Sequence, residues 1–206
     1  MRLFITGTDT DVGKTHVTRL LLDALKARGE SAAGFKPISC GGRGDAEILA
    51  AASNPPLSFD EANPVALKAP ASPMAAALIE NKPVDVKRIL AAYEALAARY
   101  THVLVEGAGG WEVPVRRDYS MADLAVAMAV PVAVVVRNRL GALNHTILTV
   151  RNLLARGLEC AGIILNHVEE VRDSASIANR AILEDVLGVP VVLDILHGET
   201  EIDWPF

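Results

Sequence analysis

The sequence predicts an α/β fold: a mostly parallel sheet flanked by helices, formed as one domain over residues 1–206. Three observations carry that reading. Short β-branched runs alternate with amphipathic stretches, the pattern of βα units. A glycine-rich loop separates the first such run from the first helical stretch. Polar and glycine-rich segments recur where the runs end, and a parallel sheet gathers ligands at that edge. With 206 residues, one core is favoured over two small ones.

The elements follow in order. Leu3-Phe4-Ile5 reads as a first strand. Val17, Leu20, Leu21, Ala24 and Leu25 then recur at helical spacing, and Gly29 supplies the stop. Ala32 to Phe35 is a second strand, and Asp45 is placed as the N-cap of a small helix over Ala46 to Ala52. From Asn54 to Pro73 the prolines predict a structured loop excursion. A helix from Asp85 puts Val86, Ile89, Leu90, Tyr93 and Leu96 on one face. Further strands are expected over His102–Glu106, Val132–Val136, Ala161–Asn166 and Val191–Leu193. Helices over Ala122–Met128, Leu143–Leu154 and Ile177–Leu187 separate them. The segments Gly7–Thr15, Lys36–Asp45, Glu106–Gly110, Arg137–Asn144 and Asn166–His167 then converge on one edge of the sheet.

Composition narrows the function classes. Apolar residues make up 51% and charged ones 22%, which suits a packed soluble core rather than a disordered chain. The net charge of −5, with no basic block, argues against a nucleic-acid surface. Cys40 and Cys160 are too few for a disulfide framework and lack metal-ligand spacing. The apolar start breaks at once into Thr6-Gly7-Thr8-Asp9, unlike a signal peptide, and no apolar run approaches a bilayer span. A cytoplasmic protein without membrane contact is expected.

The loop Gly7-Thr8-Asp9-Thr10-Asp11-Val12-Gly13-Lys14-Thr15 follows a strand and opens a helix. Backbone N–H groups at such a helix start cradle phosphate oxygens, and the helix dipole favours their charge. Lys14 is placed to reach the β- and γ-phosphates, and the Thr15 hydroxyl to hold Mg²⁺. This predicts a P-loop nucleotide-binding fold. Thr8 stands where a strict Walker pattern has its first glycine, which lies one residue earlier at Gly7. Regulatory switches of the partition-ATPase type carry a second lysine five residues before the loop lysine. Here that residue is Asp9.

Gly7–Thr15 resembles the loop G-T-D-T-[DE]-V-G-K-T of the dethiobiotin synthetase family. Phe35-Lys36-Pro37-Ile38, Val105-Glu106-Gly107-Ala108-Gly109-Gly110-Trp111 and Leu140-Gly141-Ala142-Leu143-Asn144-His145 resemble its further motifs, in the same order. The resemblance implies an ATP-dependent ligase that closes a cyclic urea from 7,8-diaminopelargonate and CO₂ or bicarbonate. A carbamate and a carbamic-phosphoric anhydride would be the intermediates. It implies Mg²⁺ on Thr15, Asp45 and Glu106, and catalytic roles for Lys14 and Lys36.

Nucleotide contacts are implied for Thr10, Asp11, Val12, Gly13, Lys14, Thr15 and His16, and for Asp45, Glu106, Gly107, Ala108 and Gly109. Asn166, His167, Leu196, His197 and Gly198 would complete the nucleotide site. The diamine is assigned to Lys36, Cys40 and Ser72. Gly141, Ala142, Leu143 and Asn144 would bind its carboxylate from the neighbouring chain of a homodimer, with the active site at the subunit interface. Cys40 stands where the family has Ser or Thr, and Ile195–Gly198 lacks the usual proline, which opens the base site to other triphosphates.

Glu106 ends an apolar strand, an expensive place for a carboxylate without a cation, which favours the metal assignment. Trp111 and Tyr119 are expected to pack. His145 and His167 show no carboxylate or histidine partner at ligand spacing and are read as non-metal. A glutamine-using cobyrinate-type synthetase is the nearest enzymatic alternative, but its Cys-His domain has no room here.

Overall fold

A computed structural model describes residues 1–171 and 173–206. The chain opens with β1 (Arg2–Gly7), α1 (Lys14–Ala27), β2 (Ala32–Phe35), β3 (Ile38–Cys40), α2 (Gly44–Ala52) and α3 (Phe59–Ala62). It continues through β4 (Val65–Leu67), α4 (Pro73–Ile79), α5 (Val86–Arg99), β5 (His102–Gly110), β6 (Pro114–Arg116) and β7 (Tyr119–Ser120). The last third holds α6 (Met121–Met128), β8 (Val132–Arg137), α7 (Ala142–Ala155), β9 (Cys160–Asn166), α8 (Ser174–Leu187) and β10 (Val191–Ile195).

Six strands form one sheet in the order β10-β9-β8-β1-β5-β2, and every pairing in it is parallel. Strand alternation sends Leu3 and Ile5 to one face and Phe4 to the other. On the first face Leu3 and Ile5 meet Val17, Leu21 and Leu25 of α1. On the second, Phe4 joins Ile89 of α5, Leu124 of α6 and Val150 of α7. Covered on both sides, β8 is the unbroken apolar run Val132–Val136, with each of those five residues 0% exposed. No helix among the described residues is long and apolar enough to cross a membrane.

Most expected elements appear within a residue or two of their sequence bounds. Three expectations change. Asp45 does not cap α2: Arg43 holds the cap position, and Asp45 lies in the first turn with its side chain turned to Lys36. The Asn54–Pro73 excursion contains α3 and β4, and β4 pairs in parallel with β3 to make a small second sheet. The strand expected to end at Glu106 runs on to Gly110, because Gly110 pairs with Gly7 across the phosphate loop.

Candidate active site

The site begins with two glycines that the fold requires. Gly13 sits at φ +90, and a Cβ there would lie 2.1 Å from Asn166 Nδ2. At Gly7 a Cβ would come within 2.7 Å of Val12 Cγ2 and 3.1 Å of Lys14 Nζ. Position 8 carries no such restriction, and the glycine therefore belongs at 7. The loop folds tightly enough that Lys14 Nζ donates to Asp9 O at 2.9 Å. Burial, then the nearby Lys36 charge, lower the Lys14 pKa to about 8.

Beside the loop lies an ion cluster, buried at Lys36 and Glu106 and exposed at Asp45. Lys36, at the end of β2, donates to Glu106 Oε1 at 2.6 Å and to Asp45 Oδ2 at 2.7 Å. Thr15 Oγ1 donates to the same Glu106 oxygen at 2.8 Å. Burial alone would lower the Lys36 pKa, but Glu106 and Asp45 outweigh it and hold the pKa above the usual value. Burial would raise Asp45, yet Lys36 keeps that carboxyl below its ordinary pKa. Glu106 is 0% exposed, and its second oxygen, Oε2, has no hydrogen-bond partner among the described residues. The cation that offsets its burial is thus Lys36, a residue 70 positions away that strand order brings alongside.

Two cavities meet at this cluster. One of about 460 Å³ is lined by Lys36, Ser39, Cys40, Asp45, Ser72 and Val113, among others. A second follows the phosphate loop from Thr10 to His16 and includes Glu106. Thr10, Lys36, Asp45 and Gly109 line both. Ser72 is exposed at the first position before α4, with no side-chain cap bond, so its hydroxyl is available to the larger cavity. Gly107 lies against Phe4, and Ala108 lines the larger cavity.

Asn63 was not singled out in the sequence, yet it shapes this cluster. Its amide donates to Lys36 O at 2.7 Å and accepts from Ser39 Oγ at 2.8 Å while 0% exposed. Nothing in the proline-rich stretch around it signals that role. Cys40 is half-buried on the cavity wall, and burial, then Glu80, raise its thiol pKa. It is therefore a neutral, weak donor. Cys40→Ser should keep activity and tighten diamine binding by about 0.5–1.5 kcal/mol, the value of one hydrogen bond. Titration of the variant with diamine checks this. Loss of activity in Cys40→Ser but not in Cys40→Ala would mean the side chain faces away from the substrate.

The far end of the phosphate loop meets β9 and β10. Asn166 Nδ2 donates to Val12 O at 2.9 Å and ties the loop to β9. His167 is 3% exposed, with Nε2 2.7 Å from Asp194 Oδ1 and 3.2 Å from Asn138 Nδ2. It therefore has a carboxylate partner that sequence spacing did not reveal. Its backbone N–H donates to Ile195 O at 2.9 Å. Glu199 closes the Leu196–Gly198 turn by accepting from Leu196 N at 2.8 Å, and Gly198 takes φ +76. His197 Nδ1 sits 2.8 Å from Val168 O, and His16 hydrogen-bonds the Glu199 backbone.

The start of α7 stands apart. Gly141 and Ala142 line a small cleft against Thr8–Thr10 and not the 460 Å³ cavity, and Asn144 is exposed. Trp111 is buried against Phe4, and Tyr119, partly exposed beneath Arg116, packs against the same core cluster, as expected of packing residues.

A glycine-bounded loop between β1 and α1, with a lysine and a threonine at the helix start, defines a P-loop nucleotide-binding α/β protein. Residues 1–200 match the family model AAA_26, described as an AAA domain. ATP-dependent dethiobiotin synthetase BioD of Akkermansia muciniphila is 46% identical over 204 residues, 98% of this chain and 96% of that protein. The protein of the same name from Methanococcus vannielii is 42% identical over 82% of this chain and 80% of its own length. The chain belongs to the ATP-dependent dethiobiotin synthetase family. Among solved structures, a ParA family ATPase from Chlorobium tepidum superposes with a TM-score of 0.61 at 13% identity, over 96% of this chain and 85% of that one. That likeness is one of fold.

Proposed function

We propose that the protein is an ATP-dependent ligase that closes a cyclic urea from 7,8-diaminopelargonate and CO₂, yielding dethiobiotin, ADP and phosphate. The observation that carries this reading is the meeting of two cavities at Lys36, Asp45 and Gly109, one along the phosphate loop and one large enough for the diamine. One amine of the substrate attacks CO₂, and loss of a proton leaves a carbamate. A carbamate oxygen attacks the γ-phosphorus and ADP departs. The second amine then attacks the carbonyl carbon of the anhydride, and phosphate leaves as the ring closes.

Each intermediate is an anion, so the site must gather positive charge where charge develops. Lys14 would hold the transferring phosphoryl group. Lys36, facing both cavities, would hold the carbamate and then the anhydride. No side-chain nucleophile is required.

Thr15, Asp45 and Glu106 fit Mg²⁺. Their donors are hard oxygens, and the buried, unpartnered Glu106 Oε2 suits a further cation. When bound, the ion would neutralise phosphate charge. ADP release that needs diamine and bicarbonate together supports this function. Equal ADP release without the diamine would favour a switch-type ATPase, a reading that Asp9 and the diamine-sized cavity disfavour.

The functional unit in this reading is a homodimer. The α7 start lies outside its own chain's larger cavity, while Leu140 is 79% exposed and Leu148 61% exposed beside it. The N–H groups of a helix start suit a carboxylate, and the diamine carries one far from its amines. Mixing a Lys14→Ala chain with a chain bearing Gly141→Trp should restore one working site per mixed dimer. No recovery despite confirmed mixing would mean that each chain works alone.

A further inference from the structure

The segment Gly107–Val113 is a wall whose Gly109 lines both cavities, with Ala108 and Val113 on the larger one. Gly107, Gly109 and Gly110 offer no side chains, and Ala108 offers one methyl group. The glycines are needed: Gly109 sits at φ +65, where a Cβ would lie 2.8 Å from Val113 Cγ2, and one at Gly107 would meet Phe4 at 3.1 Å. With so few side chains, this wall is held by its backbone pairing to β1 and by what Trp111 and Glu112 touch.

Its two anchoring side chains, Trp111 and Glu112, both reach the last turn of α7. Trp111 Nε1 donates to Asn152 Oδ1 at 2.9 Å. Glu112 takes a fork from Arg156, with Nε 3.2 Å from Oε1 and Nη2 3.0 Å from Oε2. Arg156 Nε donates to the same Asn152 oxygen at 3.0 Å, and Nη1 donates to Asp123 Oδ1 at 2.8 Å. Asp123 in turn caps α6 by accepting from Ser120 N at 2.7 Å. One guanidinium thus ties the wall to two helices.

We propose that Arg156 is a positioning residue: through Glu112, and with Asn152 on Trp111, it sets the distance between the bound diamine and the γ-phosphate. This rests on the ligase reading above. Glu112→Gln removes only the partly exposed Glu112 charge and leaves Arg156 on Asp123 and Asn152, so it should change stability little. Bidentate geometry is what Arg supplies and Lys does not. Misplacement of reacting groups lowers rate steeply, and here it acts on the diamine step rather than on nucleotide binding, which Gly13, Lys14 and Thr15 hold.

The test uses the full chain with Mg²⁺ and compares Arg156→Gln, Arg156→Lys, Glu112→Gln and the double Arg156→Gln/Glu112→Gln. Expected are a fall of about 30-fold in kcat/KM for the diamine in each single variant, an ATP Kd within about threefold and, in Glu112→Gln, little change in Tm. The double variant should be no worse than either single one, since both remove the same fork. Amide hydrogen exchange over Gly107–Val113 should quicken as well. Wild-type kcat/KM in folded Arg156→Gln and Glu112→Gln, an additive double variant, or ATP affinity lost in parallel would overturn the assignment. If Arg156→Gln does not fold, Glu112→Gln, which leaves the Arg156–Asp123 pair in place, decides alone. A wild-type protein that makes no cyclic urea in the same assay would refute the ligase reading instead.

Discussion

Lys14→Ala is expected to lower cyclic-urea synthesis by at least ~100-fold in a protein that still folds, the usual effect of losing an electrostatic stabiliser of the transition state. The fold should tolerate the change, because burial and the Lys36 charge already disfavour a proton on Lys14. The folded pKa is about 8 against the ordinary 10.5, so between those values the unfolded chain binds more protons and stability rises with pH. That rise should be smaller in Lys14→Ala, which removes the group. Steady-state assays with denaturant melts at pH 7.5 and 9.5 check both parts. Unchanged synthesis by a folded Lys14→Ala protein would remove the phosphate-loop assignment.

Lys36→Met should have an effect as large on rate and a larger one on stability. It leaves Glu106, 0% exposed, without its cation, and breaking a buried pair from one side costs ~3–5 kcal/mol. For a chain of this size that is a Tm lower by roughly 6–20 °C. Synthesis should drop by at least ~100-fold, because the carbamate loses its counter-charge. Mg²⁺ should recover part of the lost stability if Thr15, Asp45 and Glu106 accept it, which melting with and without the ion reads directly. A Lys36→Met protein with normal Tm and turnover would contradict both roles.

The parts of the fold legible in the sequence are those whose environment repeats along the chain. A central parallel strand is buried on both faces, so Val132–Val136 reads as an uninterrupted apolar run and falls within β8. The α5 face needs only helical periodicity, and Val86, Ile89, Tyr93 and Leu96 are indeed its buried residues. Elements held by distant partners were hidden. β4 is three residues long and exists because β3 pairs with it, and local pattern cannot distinguish it from loop. The continuation of β5 to Gly110 runs through residues with poor strand propensity and depends on Gly7 opposite.

The site divides in the same way. Lys14 and Thr15 lie within one local motif, and a strand, loop and helix suffice to position them. Lys36 and Glu106 were each visible as charged residues at strand ends, but their mutual pairing depends on β2 and β5 being neighbours, which no local spacing encodes. The same holds for His167 with Asp194 and for Glu112 with Arg156, at separations of 27 and 44 residues. Asn63 was missed because its function is to hold the backbone of Lys36 from within a stretch that reads as irregular.

In the proposed reaction, phosphoryl transfer at Lys14 is coupled to ring closure beside Lys36. The decisive experiment supplies the protein with ¹³C-bicarbonate, 7,8-diaminopelargonate, ATP and Mg²⁺ and follows carbon NMR and ADP together. A labelled ureido carbon should form in equal amount with ADP, and neither product when the diamine is withheld. ADP formed at the same rate without the diamine, or with no labelled ring, would contradict that coupling.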